Sequence, residues 1–435
     1  MKNKENRALR GSGGKEQKMK KFGLLVSVFS CLLFILTACG GGGSSPAVTQ
    51  TPGGGNTNTP SVTNTPVPPS PPITNTPTPP VPWMVNGVTG ALTVDASGNV
   101  FVVTNTDTQR TATSTNDVFL TKFDKAGNLD WKQPLLVTAG YDECKRVVVM
   151  GGYVYALCVE DDPSQPFPGG SNTGVVWLEK LDAQTGAQVS ATKIADYGAP
   201  TGVVTDAVTN TNTLYVCWSD ANGISTIVRM DPDGNVLNTT SDSPGDSTGV
   251  GMFLGIMVPD GNYLYSVGVR MQSAAYDRIV AVRFDKDLTN PVVSQYREFS
   301  DSQYPDMATG AVLSDGTLYI GGVLDDSVVD SRRGVLLAVD ASTGNITDVT
   351  PSELLTGKSG FAQLAVANGA LFGVLNMTGP VAKVDLSTMS TSVLTSITSS
   401  LGINLAVDAA DGVLYATDNQ SSSVFAYDLN GNPIP

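Results

Sequence analysis

From Phe101 to Asp428 two short sequence features alternate strictly, seven times each, and this period constrains the fold more than anything else in the chain. The first is an apolar segment, a turn and a second apolar segment carrying an aromatic residue. The aromatics are Phe101, Tyr155, Tyr215, Tyr265, Tyr319, Phe372 and Tyr415, spaced by 54, 60, 50, 54, 53 and 43 residues. The turns ahead of them, such as Ser97-Gly98-Asn99, Asp260-Gly261-Asn262 and Asp315-Gly316, hold residues that tolerate the positive φ of hairpin loops. The second feature is an apolar segment ending in Asp before a turn: Asp124, Asp182, Asp231, Asp285, Asp340, Asp385 and Asp428. A short carboxylate in that place can bond the backbone two residues on and close the turn.

Each repeat of ~50 residues therefore predicts four antiparallel strands, the unit of a propeller blade. No segment shows a 3.6-residue apolar period, so helix is expected to be nearly absent. The expected fold is all-β: a seven-bladed β-propeller of four-stranded antiparallel blades over residues 83–435, with a disordered linker ahead of it. The last repeat ends at "DLNGNPIP", where Pro433 and Pro435 have no backbone N–H to offer a ladder. The stretch "WMVNGV" at 83–88 is expected to complete that blade from the other end of the chain.

The first repeat, "GALTVDASGNVFVVTNTD" followed by "DVFLTKFDKAGNLDW", resembles the bacterial β-propeller repeat of the SBBP type. "LDAQTG" and "VDASTG" resemble PQQ-type propeller repeats. Quinoprotein blades carry a Trp a few residues after Thr-Gly that docks blade on blade. In this chain only Trp131 stands near such a place, so the resemblance implies the fold and no quinone cofactor.

The N-terminus has the form of an address. Lys18, Lys20 and Lys21 precede an uncharged run from Phe22 to Ala38, which ends in Leu36-Thr37-Ala38-Cys39. A cationic segment, an apolar core and small residues before a cut make a secretory signal. The run falls slightly short of the ~20 residues that a membrane span needs. Leu-Thr-Ala-Cys resembles the lipobox of bacterial lipoproteins, which implies cleavage after residue 38 and a lipid on Cys39. Residues 1–18 fit no targeting pattern, and Met19 is the alternative start. Residues 39–82 are rich in Gly, Ser, Thr and Pro and carry no charge. They read as a tether that holds the domain, at ~3.1 Å per residue, on the order of 100 Å from the membrane. The predicted location is extracytoplasmic, lipid-anchored to a bacterial membrane.

Beyond residue 38 the chain holds 18 basic and 38 acidic residues. So negative a surface repels nucleic acid, whose phosphates need Lys and Arg to displace their counterions. The domain is expected to be monomeric, with the membrane as partner through its lipid. Histidine is absent, which excludes Ser-His-Asp and Cys-His pairs and His-based zinc sites. No cofactor is expected. The one metal alternative is calcium at "DPDGN", where Asp231, Asp233 and Asn235 alternate as in calcium loops but lack a downstream Glu. Turn capping explains the same residues. Cys144 and Cys158 flank the Gly151-Gly152 turn and are placed either for a cross-strand disulfide or as two small buried thiols.

In a propeller, the loops joining second to third strands and blade to blade gather at one mouth of the channel. In this chain the expected ligand face carries Tyr141, Asp142, Arg146, Asp196, Tyr197, Tyr304, Asp306, Arg332 and Arg333. Rings beside carboxylates suit sugars, whose apolar faces stack while hydroxyls bond carboxylates. The expected function is a non-enzymatic binding module for a glycan or protein ligand. The alternatives are a polysaccharide hydrolase or lyase with paired carboxylates, Asp142 and Asp306 first among them, and a scaffold subunit of an envelope complex.

Overall fold

A computed structural model describes residues 82–85, 88–105, 118–135, 142–160, 174–205, 212–219, 224–241, 252–272, 275–296, 307–326, 331–351, 360–375, 379–397, 403–418 and 422–434. The signal segment, Cys39 and the linker lie outside them. Every described element is a β-strand or a turn. After β1 (Trp83–Met84), blade 1 is β2 (Val88–Val94), β3 (Val100–Asn105), β4 (Val118–Phe123) and β5 (Leu129–Pro134). Blade 2 is β6 (Asp142–Met150), β7 (Tyr153–Glu160), β8 (Gly174–Asp182) and the first half of β9 (Gln188–Thr205). The second half of β9 opens blade 3, which continues as β10 (Leu214–Ser219), β11 (Ser225–Met230) and β12 (Val236–Ser241). Blade 4 is β13 (Met252–Pro259), β14 (Tyr263–Gln272), β15 (Ala275–Asp285) and β16 (Val292–Tyr296). Blade 5 is β17 (Met307–Ser314), β18 (Thr317–Asp326), β19 (Ser331–Asp340) and β20 (Ile346–Asp348). Blade 6 is β21 (Phe361–Ala367), β22 (Ala370–Leu375), β23 (Val381–Asp385) and β24 (Thr391–Leu394). Blade 7 is β25 (Leu405–Asp408), β26 (Val413–Asp418) and β27 (Ser423–Asp428), with β1 as its fourth strand.

The first strands of the blades touch in chain order, β2 to β6 to β9 and onward to β25, and β25 returns to β2. The ring is closed around them. Its closure is a two-ended clasp on the outer edge of β27. Trp83 and Met84 pair with Val424 and Ser423. At the other end Pro433 bridges Tyr427, and the Ile434 N–H donates to the Ala426 carbonyl at 2.9 Å. The tail after Asp428 therefore does add to the ladder, through the one residue between its two prolines that keeps an N–H.

The middle strands are continuously apolar because both faces are covered. All six residues of β3 are buried, whereas in the outermost strand β5 only Trp131 is buried. Seven apolar clusters fill the seven interfaces. Phe101 and Trp131 of blade 1 meet Val147 and Leu181 of blade 2. Tyr415 of blade 7 meets Val102 and Phe123 of blade 1. Six of the seven repeated aromatics are fully buried, and Tyr319 is half-buried.

The repeated Asp closes its turn in two forms. In the D-x-x-G-N form the Asp124 carboxylate accepts the backbone N–H groups of Ala126 and Asn128 and the Asn128 side chain, all at 2.8–2.9 Å. In the second form Asp182 accepts from Gln184 and Thr185, and Asp385 from Ser387 and Thr388. The same turns link the blades. The carbonyl one residue after the Asp accepts a side-chain donor from the preceding blade. Trp131 bonds Ala183 at 3.3 Å, Tyr155 bonds Pro232 at 3.1 Å, Tyr215 bonds Lys286 at 2.9 Å, Lys383 bonds Leu429 at 2.8 Å, and Arg283 bonds Ala341. At these five interfaces the Asp turn thus presents one carbonyl to the neighbouring blade.

Trp131 is not alone in its docking role. It lies on Gly186 of blade 2 (φ 73°), and Trp83 lies in the same way on Gly127 of blade 1 (φ 84°). A Cβ at either glycine would collide with the indole. Sequence reading missed Trp83 because its blade is completed from the far end of the chain, so no Asp turn of that blade precedes it.

Two consequences can be measured. Trp83→Ala is expected to cost about 2–4 kcal/mol, toward the lower side of the range for large-to-small substitutions because the ring is half-buried; an unchanged urea midpoint would mean that the clasp adds nothing. The second concerns pH. The Ser387 hydroxyl and the Thr388 N–H hold the Asp385 carboxyl down at about 2, and Asp124 and Asp182 are lowered by the same kind of bonds. Carboxyls lowered by folding stabilise above the ordinary value of 3.8, and that contribution is lost as pH falls through the folded values. Glu179 is the opposite case. It is buried, and desolvation raises its pKa despite the Gln188 amide at 2.6 Å. Its destabilising effect grows as pH rises from the ordinary 4.5 through the raised folded value. Glu179→Met is therefore expected to raise the melting temperature at neutral pH, with the gain shrinking below the ordinary Glu value. A gain that is equal at both pH values would contradict this account.

Candidate functional site

The channel wall is built from the seven first strands, and six of them carry the same irregularity. One extra residue bulges from the inner strand: Gly90, Lys145, Thr201, Gly255, Thr309 or Gln363. A bulge bends the strand and re-aims the side chains beside it. At this level neighbouring blades are stitched together. Thr309 donates to the Phe361 carbonyl, the Gln363 amide bonds Asn404 at 2.7 Å, and Ser225 accepts the Leu254 N–H at 2.9 Å.

The wall is almost without charge. Strands β2, β13, β17 and β21 and the inner half of β9 contain no Asp, Glu, Lys or Arg, and β25 has only Asp408 at its turn end. All other charged residues of the inner strands are in β6: Asp142, Glu143, Lys145 and Arg146. Glu143 and Lys145 pair at 3.2 Å. Asp142 is fully buried and engaged. Arg146 is exposed to solvent, yet the protein around it lowers its pKa by desolvation, as expected for a side chain in a channel wall. Its guanidinium donates to the Lys145 carbonyl at 2.9 Å and has no ion pair among the described residues. Cys144, on the other side of the bulge, lies directly opposite Cys158 on β7 and is disulfide-bonded to it, while the buried Cys217 is outside any disulfide and its thiol donates to the Leu254 carbonyl at 3.0 Å. The bulge that aims Arg146 thus starts at a covalent cross-strand link.

Two of the remaining expected residues, Asp196 and Arg333, are held by partners on the outer strands of their blades. Asp196 is on the outermost strand of blade 2 and pairs with Lys193 at 2.6 Å, on the surface. Arg333 is on the third strand of blade 5 and pairs with Asp348 of the fourth at 3.0 Å. Tyr197 and Arg332 are placed by backbone only, in β9 and β19. Tyr141, Tyr304 and Asp306 lie outside the described residues, and with them the carboxylate pair of Asp142 and Asp306. At the calcium candidate, both Asp231 oxygens accept turn hydrogen bonds, from Asp233, Asn235 and the Asn235 amide at 2.8–3.0 Å. Asp233 takes Lys180 of blade 2 at 3.2 Å. The pattern matches Asp124 and Asp428, so its geometry is that of a capped turn.

What sequence reading missed is the isolation of Arg146. Read as a loop cation, it looked like one of three. The signal was present in "DECKR", the one first strand among seven that carries a cation, and it appears once those strands are aligned on their bulges.

No protein-family model matches the chain, and no curated protein matches it. Solved structures do. Hydrazine synthase of Kuenenia stuttgartiensis is similar at 12% identity and a TM-score of 0.54, covering 82% of this chain and 98% of that one. BamB of Moraxella catarrhalis covers 78% and 85% at 15% identity and TM-score 0.43. The β-propeller domain of the Trilobed protease of Pyrococcus furiosus covers 79% and 96% at 9% identity and TM-score 0.48. At such identities the likeness is one of fold, and the chain is a seven-bladed β-propeller.

Replacing Cys144 and Cys158 together by Ala is expected to cost about 2–4 kcal/mol, the usual range for a short closed loop. Reductant should then lower the urea midpoint of the native chain but not of the double variant. Equal midpoints for both in oxidising buffer would contradict a stabilising link.

Proposed function

We propose that the protein is a lipid-anchored, extracytoplasmic propeller that binds a ligand at its channel and does not transform it. The observation that carries this reading is the channel wall: a closed ring of seven strands, stitched at one level and without charge except on β6 and at Asp408, the turn end of β25. Such a wall is a rigid cradle, and rigid scaffolds suit binding more than they need chemistry. The chain has no histidine to serve as a base or metal ligand. The inner-strand carboxylates Asp142 and Glu143 are already engaged. The signal-like segment and Cys39 support the membrane anchor, and residues 40–82 supply its reach.

Two experiments test the reading. The full chain, expressed with its leader, is expected to incorporate labelled fatty acid and to sediment with membranes, and Cys39→Ser is expected to abolish both. Label retained in Cys39→Ser would contradict the anchor. The detergent-solubilised chain is then screened on a glycan and envelope-protein array and against a panel of polysaccharides. Saturable binding without depolymerisation is the expected result; cleavage of a polysaccharide, or an array with no binder, would contradict a binding module.

A further inference from the structure

Arg146 departs from the repeat in a way that packing does not explain. It pairs with Leu157, two residues after the repeated aromatic Tyr155. In the same register position blade 1 has Ala91, blade 3 Gly202, blade 4 Ile256 and blade 5 Gly310. Those residues are small or apolar and pack toward the next blade, as Gly202 does on the Gly255 carbonyl. An arginine there gives up the contact that a small or apolar residue makes with the next blade. Departures of this kind from a repeat are expected at functional positions.

We propose that Arg146 is the anchor of a ligand site in the channel, and that the group it takes is a single carboxylate on an otherwise uncharged small molecule. The proposal rests on the channel being the ligand site and adds the class of ligand. Three observations select that class. The guanidinium is a planar fork of donors that fits a carboxylate in two parallel bonds. One of its nitrogens is held by the Lys145 carbonyl, which fixes the fork while its other donors have no protein partner among the described residues. The charge balance then decides between anions. Of the four charged residues of β6, Lys145 and Glu143 pair with each other at 3.2 Å and Asp142 is buried and engaged, which leaves the Arg146 guanidinium as the cation of this strand without an ion pair among the described residues. A monovalent carboxylate neutralises it. A phosphate dianion would leave net negative charge at the guanidinium, and a polyanion would meet the repulsion of 38 acidic against 18 basic residues beyond residue 38. The uncharged remainder of the wall suits an uncharged ligand body.

The test uses the full chain in detergent with D-glucuronate, its neutral twin D-glucose and inorganic phosphate, measured by equilibrium titration at low salt. Glucuronate is expected to bind saturably, at least tenfold tighter than glucose or phosphate. Arg146→Gln is expected to lose at least tenfold of that affinity, and Arg146→Lys to retain part of it, since the charge remains without the fork. Thermal melts of both variants establish that they are folded, and Arg146→Lys carries the test should Arg146→Gln misfold. Glucuronate binding unchanged in both variants, phosphate binding tighter than glucuronate, or no saturable glucuronate binding would each overturn the proposal. Array binders that are neutral and indifferent to Arg146 would overturn it while leaving the binding-module reading intact.

Discussion

A blade with two apolar faces is stable only between two neighbours, and that requirement governs the whole molecule. Seven blades satisfy it when the first meets the last, and the meeting point is the outer edge of β27. There the two ends of the domain, Trp83–Met84 and Pro433–Ile434, lie on one strand. Neither end is long enough to make a full outer strand alone. Together they give blade 7 its fourth strand and hold the ring against the entropy of an open arc. The inner bulges, the capped turns and the docked carbonyls all presuppose this closure, because each acts across a blade interface.

The Asp turns show how one residue type can serve local and long-range structure at once. Its carboxylate satisfies the backbone N–H groups of a tight turn. The turn then directs a carbonyl sideways, where Tyr, Trp, Lys or Arg of the preceding blade meets it. The donor differs at nearly every interface while the acceptor keeps its place. This is why the repeat is visible as a spacing of Asp and aromatic residues yet weak as a sequence motif. It also accounts for the DPDGN segment without a metal, since the Asp231 oxygens are spent on the turn.

Much of the architecture was legible in the sequence for that reason. The alternating aromatics and aspartates marked seven blades, and "WMVNGV" marked the closing strand. What escaped was the detail of contacts between residues far apart along the chain. Trp83 docks on Gly127 although no Asp turn of its own blade precedes it, and Ile434 completes a ladder between two prolines. The strand β9 serves two blades without a break and runs through Asp196 and Tyr197, which were expected on the loops of the ligand face. Site residues were least legible. Asp196 and Arg333 share a composition with ligand-face residues, yet the strand order places them on outer strands with partners of their own blade. Arg146 shares that composition too, and only its place on an inner strand sets it apart.

The most direct test of closure is a cross-link across the clasp. Met84 and Ser423 face each other in register although 339 residues separate them. In a chain whose Cys217 is replaced by Ser, Met84→Cys and Ser423→Cys are expected to form an intramolecular disulfide under mild oxidation, seen as a faster-migrating band on a non-reducing gel. Nearly complete formation at low protein concentration is the result that a closed ring predicts. Failure to cross-link, or cross-linking only between molecules, would contradict it.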